Sequence, residues 1–512
     1  MATDTMPLVA LVTGGLDEMA VLELEQAFGL QRGAVRQVGR PQPEEDWSTN
    51  RLSHGLVFPG NSGVSKLLFE VAWPMDHDKL RRAVRMLKGL QGLLAPVALS
   101  TVSLDNDGLQ QARAAVSDAT CWQRALEAWC ILTQRREAGQ PLGALAFRAS
   151  CVRDGPHSFT SVDMSRAVGG AVQTLHGWSP SMRGHELEVV ALLTASQLVV
   201  GVNVGAGSFE KMKMATEPRP LMPYAAIDAR LRSSTASLML RLARVQPGDV
   251  VLDPMCGIGT VPLEASATTG AVLALGGDVD EELVWQASRN ARASQLAAAQ
   301  AAPREPLPLA AAAAALAEEA VRDGLTPPEL PEAWHFEQRL YHRLAAGGGA
   351  AFCAWSAAQL PLRTGCCDAV VVDLPFGQTH KIKGGGSRNL YPRATLEIAR
   401  VLRGGGRFVA LTPALRVLTD CLETQGELWA RTEALQVNCG GILAWVCCWT
   451  RSDSAPTATS AGSVPRRSCK PAGPAATNVN LPFAQQGGAP PTSTSAWFYW
   501  TRGVTFDMDK AT

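Results

Sequence analysis

Apolar positions run along the chain in two rhythms. In the first, which holds to about residue 205, short apolar runs take turns with helical periodicity. Residues 8–15 (LVALVTGG) read as a strand closing in a glycine turn. Asp17–Phe28 reads as an amphipathic helix with acids in its first turn, where the helix dipole favours them. Residues 65–73 read as a strand, 78–94 as a basic helix, 144–154 as a strand and 161–175 as a helix. Two apolar runs, 189–193 and 198–204, are joined by Thr-Ala-Ser-Gln and predict a hairpin. Helices alternating with antiparallel strands predict small α+β modules.

A second rhythm begins at Asp249. Residues 250–253 (VVLD), 271–278 (AVLALGGD), 368–373 (DAVVVD) and 407–412 (RFVALT) are strand-like. Helices are predicted from Thr260 onward, over 280–294 and over 394–402. Strand–helix repetition with strands rich in Val and Leu predicts an α/β fold with a parallel, doubly wound sheet. Residues 295–349 interrupt it with an Ala-, Pro- and Gly-rich insertion, expected to be partly helical and partly disordered. Residues 452–494 read as a disordered tail and 495–512 as an aromatic C-terminal segment.

Charge is balanced, 47 Lys+Arg against 47 Asp+Glu, which excludes a histone-like basic protein and an acidic solubilising chain. Locally the balance fails. Between Lys211 and Arg244 stand Lys211, Lys213, Arg219, Arg230, Arg232, Arg241 and Arg244 against only Glu217 and Asp228. This stretch, with Pro218, Pro220 and Pro223, is either a solvated linker or a strip that tracks phosphates. A second basic run, Lys381, Lys383, Arg388 and Arg393, follows the strand-like stretch at 368–373. No run of about 20 apolar residues suggests a membrane span. The first residues lack a basic leader and contain Asp4, so a cytoplasmic protein is expected. The 12 cysteines are too sparse for a disulfide framework and include no C-x-x-C. Cys366-Cys367 and Cys447-Cys448 are side by side, a poor spacing for shared metal ligation; free thiols and no metal site are expected.

Two strand ends carry the chemistry. In VVLDPMCGIGTVPLEA, residues 250–265, a buried strand ends at Asp253, and Gly257 and Gly259 bracket a turn into a helix. Glycines let backbone approach a ligand, and the helix start offers free N–H groups. The string is not G-x-G-x-x-G and has no P-loop lysine, which argues against a dinucleotide and against ATP. It resembles the methyl-donor motif of class I methyltransferases that use S-adenosylmethionine. Asp278, at the next strand end, stands where an acid reaches ribose hydroxyls in such sheets. Cys256 reads as a small packing residue rather than a nucleophile.

The second string is DAVVVDLPFG, residues 368–377, with Asp373, Leu374, Pro375 and Phe376. It resembles the D/N-P-P-Y/F motif of methyltransferases acting on exocyclic amines of nucleobases. Such an amine is a poor nucleophile because its lone pair is delocalised into the ring. An Asp373 carboxylate and a Leu374 carbonyl that accept its two N–H bonds would favour an sp³-like nitrogen, and Phe376 would stack on the base.

These motifs stand in order with FRASCVRDGPHSFTS, LRSSTASLMLRL, QTHKIKGGGSRNLYP and ALQVNCGGILAWVCCW. Together they make the chain similar to the THUMP-domain tRNA guanine-N2 methyltransferases over most of residues 5–451. The resemblance implies an N-terminal ferredoxin-like domain (1–110), a THUMP domain (111–210), a basic connector (211–232) and a Rossmann-like methyltransferase domain (233–451). It also implies N2-methylation of an acceptor-stem guanosine of tRNA and a small zinc-binding activator subunit as partner. The donor site would be Asp253, Pro254, Cys256, Gly257, Gly259, Thr260, Asp278, Val279, Ser356 and Ala357. Ser356 stands where the family often has an acid for the adenine amine. RNA contacts are expected from Arg148, Arg153, Lys211, Lys213, Arg230, Arg232, Lys381, Lys383 and Arg388. Two other readings compete: a small nuclear RNA guanine-N2 methyltransferase, and an RNA-binding adaptor with an inactive methyltransferase fold.

Overall fold

A computed structural model describes residues 5–38, 64–117, 122–134, 142–205, 231–268, 272–301, 348–375, 387–439 and 442–453. Most of the insertion, the tail and the connector through Arg230 lie outside these residues.

The N-terminal half contains one eight-stranded sheet in the order β2-β3-β1-β4-β8-β7-β5-β6. Its strands are β1 (Thr5–Thr13), β2 (Arg36–Gln37), β3 (Val64–Ala72), β4 (Leu90–Thr101), β5 (Ala146–Asp154), β6 (Ser179–Pro180), β7 (Leu187–Thr194) and β8 (Gln197–Asn203). Strands from both sides of residue 110 contribute to it, joined where β4 pairs antiparallel with β8. Helices α1 (Asp17–Phe28), α2 (His77–Met86), α3 (Asp107–Ser117), α4 (Trp122–Thr133) and α5 (Ser161–His176) accompany these strands. The sheet curls. Lys66 on β3 reaches Asp154 on β5 at 3.0 Å, although four strands separate them in the sheet. Val9, Leu11, Leu94, Val152 and Val190 fill the curled face.

The expected hairpin and the helices at Asp17–Phe28 and Ser161–His176 are present. The latter starts with a capping box between Thr160 and Asp163, which satisfies donors at the helix start. The helix expected over 78–94 is corrected: α2 ends at Met86 and the apolar remainder begins β4. The cause is tertiary. The buried Glu23 carboxylate accepts the N–H groups of Lys88 and Gly89, and Leu93–Ala95 enter the core as a strand. Helices α3 and α4 were not expected from the pattern.

The C-terminal half carries a seven-stranded sheet, β11-β10-β9-β12-β13-β15-β14. Its strands are β9 (Val250–Asp253), β10 (Val272–Asp278), β11 (Gly348–Ala354), β12 (Cys367–Asp373), β13 (Leu402–Thr412), β14 (Trp429–Cys439) and β15 (Ile442–Arg451). The first five are parallel, and an antiparallel β14–β15 hairpin completes the edge. Helices α6 (Ser233–Leu242), α7 (Thr260–Thr268), α8 (Glu281–Ala301), α9 (Ser387–Val401) and α10 (Leu415–Glu423) complete the half. Helix α8 runs further than the expected 280–294. The chain leaves β9 towards β10 and β11, then returns to β12 on the other side. That reversal opens a crevice at the C-terminal strand ends, where ligands bind in doubly wound sheets.

The two halves share a core. Leu16, Leu24 and Leu93 belong to the same apolar cluster as Leu238, Val251, Val261 and Val446. At the joint, Gly15 (φ +97°) lies so close to the Gln436 carbonyl that a Cβ would be 1.9 Å from its oxygen. Asn438 N–H donates to the Gly14 carbonyl at 3.2 Å.

Candidate active site

The donor loop is built by backbone. β9 is buried and ends at Asp253, 2% exposed, whose Oδ1 accepts the Met255 N–H at 3.1 Å. Cys256 N–H donates to the Gly277 carbonyl (2.8 Å), which ties the loop to β10. Gly257 (φ +53°) and Gly259 (φ +91°) adopt the left-handed conformation that a side chain disfavours. A Cβ at Gly259 would meet the Phe352 ring at 2.8 Å, whereas the space before Gly257 is open. Thr260 then begins α7. Asp278 at the end of β10 accepts from Gly257 N–H (3.0 Å, Oδ2) and Asp280 N–H (3.1 Å, Oδ1).

Beyond Asp278, Val279 is 80% exposed, an apolar side chain displayed at the crevice rim. Ser356 is exposed, with its hydroxyl accepting from Ala358 N–H at 3.3 Å, and Ala357 is buried. Pro254 presents its carbonyl to an indole N–H from the third strand end.

Three carboxylates therefore occupy neighbouring strand ends: Asp278 on β10, Asp253 on β9 and Asp373 on β12. Burial pushes the Asp253 carboxyl well up, against the Met255 N–H, and the charges of Asp373 and Asp278 push the same way. Burial also raises Asp278, against its N–H bonds. Asp373 is pushed up to about 7 by burial. Its Oδ1 is cut off from solvent and has no hydrogen-bond partner among the described residues. Leu374 is buried and fixed by its N–H to the Leu411 carbonyl (2.9 Å). Pro375 is half-buried, and Phe376 lies outside the described residues. Cys256 is buried, and burial with the Asp253 and Asp278 charges holds its thiol well above the ordinary range, so it stays protonated. Among the described residues no group of three His, Cys, Asp or Glu is arranged to hold a metal.

Two supports were missed in the sequence. Trp355 follows β11 and gives its indole N–H to the Pro254 carbonyl (3.1 Å) and its backbone N–H to the Asp278 carbonyl (3.0 Å). Its ring lies where a Cβ on Gly277 would be, 2.0 Å away, so the glycine is required. Asn290 on α8 is fully buried and donates to the Ile258 carbonyl between the two glycines (3.1 Å). The available signal was a polar residue at a position that the Val284, Ala287, Ala291 periodicity assigns to the core.

Of the expected RNA contacts, the side chains of Arg148, Arg153 and Arg232 lie among the described residues. Arg148 and Arg153 stand at positions of opposite parity on β5 and so face opposite sides of the sheet. Arg153 Nη1 donates to the Gly155 carbonyl at 3.2 Å. Arg232 immediately precedes α6, half-buried, and donates to Gln91 Oε1 at 2.7 Å. Lys211, Lys213, Arg230, Lys381 and Lys383 lie outside the described residues. Arg388 is in α9, but its side chain is outside them.

The arrangement suits a cationic, partly apolar cofactor. Acids at three adjacent strand ends favour a positive centre, exposed Val279 offers apolar contact, and the open space at Gly257 leaves backbone accessible. Those are the features a methyl sulfonium joined to an adenosine requires.

Comparison with known proteins agrees. Residues 223–303 and 342–444 match the family model described as RMKL-like, methyltransferase domain. The tRNA (guanine(6)-N(2))-methyltransferase THUMP3 of Bos taurus is 31% identical over 306 residues, 59% of this chain and 50% of that protein. The U6 snRNA (guanine-N(2))-methyltransferase THUMPD2 of Bos taurus is 30% identical over 270 residues, 52% of this chain and 40% of that protein. The chain thus spans about half the length of the curated relatives it matches. The crystal structure of TrmN from Thermus thermophilus shares the fold, with a TM-score of 0.53 at 21% identity over 87% of this chain and 99% of that one. The resemblance to THUMP-domain guanine-N2 methyltransferases holds, and the C-terminal half carries a methyltransferase domain.

Proposed function

We propose that this chain is an S-adenosylmethionine-dependent RNA methyltransferase that forms N2-methylguanosine in the acceptor-stem region of tRNA. The carrying observation is Asp373: a carboxylate beside the donor loop, with an oxygen buried and without a partner among the described residues. Buried acceptors are almost always satisfied, so one left open at a crevice marks a place for an incoming donor.

S-adenosylmethionine, when bound, supplies a methyl group on a sulfonium. The protein holds the nucleophile. Ionised Asp373 and the Leu374 carbonyl each accept one N–H of the guanine 2-amino group, which draws the lone pair out of the ring and aims it at the crevice. Phe376 stacks on the base. With a carboxyl near neutrality, Asp373 Oδ1 can also take up the proton released as the nitrogen gains its methyl. The buried, rigid strand ends keep these acceptors pre-aimed, so little reorganisation accompanies the reaction.

In this reading residues 1–110 form a ferredoxin-like module, and residues 111–210 a THUMP module that captures the end of the tRNA. A small zinc-binding activator subunit is the expected partner and the cytoplasm, with a nuclear fraction, the expected site of action. Small nuclear RNA is the second substrate class, favoured by the similarity to the U6 snRNA enzyme. The test is to map N2-methylguanosine in tRNA and small nuclear RNA from cells with and without the protein. Loss at an acceptor-stem guanosine of tRNA is expected; loss confined to small nuclear RNA selects the second substrate, and no loss in either pool overturns both.

A further inference from the structure

The stretch at 389–392, Asn-Leu-Tyr-Pro, has a structural place but no chemistry assigned to it. Tyr391 points from α9 into the core beneath the base motif, 1% exposed and in the same apolar cluster as Leu374. Its hydroxyl lies within a chain of hydrogen bonds. Ala414 N–H donates to Thr412 Oγ1 at 3.0 Å. The Thr412 and Tyr391 hydroxyl oxygens are 3.3 Å apart, and the Tyr391 O–H donates to the Pro375 carbonyl at 3.4 Å. A phenol has one proton. With that proton aimed at Pro375, Thr412 must donate to the Tyr391 oxygen. The Thr412 oxygen then serves as acceptor for Ala414. Thr412 is itself fully buried. Since Leu374 N–H is bound to the Leu411 carbonyl, the Leu374-Pro375 backbone is tied to the end of β13 at two successive residues, once directly and once through Tyr391.

We propose that Tyr391 is a positioning residue for methyl transfer. Its hydroxyl, backed by Thr412, sets the course of the Leu374-Pro375 backbone and thereby the spacing between the Asp373 carboxylate and the Leu374 carbonyl. The proposal rests on the reading of Asp373–Phe376 as the base site. Two acceptors must straddle one small amine, and a shift of about 1 Å in such a group can cost on the order of a hundredfold in rate. The oxygen–oxygen distances of 3.3 and 3.4 Å are long for hydroxyl bonds. A residue that only filled space there would need the ring and not the hydroxyl.

Tyr391→Phe removes the hydroxyl and keeps the ring. In the full chain with its activator, kcat should fall about tenfold, the effect of removing one hydrogen bond in the transition state. KM for S-adenosylmethionine and for tRNA should stay within about twofold. Thr412→Val should give a similar loss, the double variant little more than either single one, and Thr412→Ser should retain near-normal turnover. A Tyr391→Phe enzyme with unchanged kcat overturns the proposal. So does a lower kcat accompanied by a matching rise in either KM or by a failure to fold, because either would assign Tyr391 to packing. Losses that multiply in the double variant overturn the chain. The base-site reading fails separately, if Asp373→Asn turns over normally.

Discussion

Asp373→Asn exchanges a buried carboxylate for a neutral amide of nearly equal size, and its consequences for catalysis and for stability have opposite signs. Catalysis loses a charged acceptor for the amine, so turnover should fall by roughly 10²–10³, as for deleted oxyanion donors. Stability is predicted from the carboxyl itself, ordinarily at 3.8 and here pushed up to about 7. A raised carboxyl in the folded state means that the fold binds the proton more tightly than the unfolded chain does. Ionisation therefore costs stability, and the cost grows as pH rises from about 4 to about 7 and then levels off. At about 1.4 kcal/mol per tenfold change, the full cost is roughly 4 kcal/mol. Linkage gives roughly 1–2 kcal/mol of it at pH 5 and nearly all of it at pH 8. Asn carries no such cost. The advantage of the variant in denaturant unfolding should be roughly 2–3 kcal/mol larger at pH 8 than at pH 5. A stability difference equal at the two pH values would refute the buried-carboxylate argument, whatever happens to turnover.

The same carboxyl predicts that kcat, measured with saturating donor and RNA, falls as pH is lowered through about 7, because the protonated acid loses an acceptor; a rate flat from pH 6 to 8.5 would contradict it. Asp278→Ala should weaken S-adenosylmethionine by roughly 1–3 kcal/mol in calorimetry, since the ribose loses its acceptor and Gly257 N–H loses a partner. Gly259→Ala places a methyl against Phe352 at φ +91° and should cost about 1–3 kcal/mol of stability together with donor affinity; a normal melting temperature would deny the packing. Reversing Lys211, Lys213 and Arg230 to Glu should raise KM for tRNA more than KM for the donor. The log–log salt slope should flatten by about 0.7–0.9 for each phosphate that the variant no longer neutralises. An unaltered slope would make that stretch a solvated linker.

The catalytic half was legible because parallel buried strands leave a dense signature. Runs of three or four Val, Leu or Ala residues ending in an acid or a glycine turn recur at 250–253, 272–278 and 368–373, and each is a strand. The acids at their ends were readable as a set because strand ends on one side of a parallel sheet are neighbours by topology. What held those acids in place was not readable. Trp355 and Asn290 act through contacts over 101 and 32 residues of sequence, and nothing local distinguishes an indole that holds a carbonyl from one that fills a core. The misread helix at 78–94 failed for the same reason. Its sequence has helical charge spacing, and only the distant Glu23 carboxylate and the pairing with β1 and β8 make residues from Leu90 onward a strand.

Arg232 is a further case of long-range context. By sequence it is one of the seven basic residues from Lys211 to Arg244. In the structure its guanidinium donates to Gln91, Gln91 Nε2 donates to the Thr13 hydroxyl (2.9 Å), and that hydroxyl meets Thr235 on α6 (2.9 Å). These bonds link β4, β1 and α6 beside the Gly14–Asn438 contact, at the joint between the two sheets. Burial lowers the affinity of Arg232 for its proton. The Arg232 side chain thus takes part in the contacts that link the N-terminal sheet to the catalytic half.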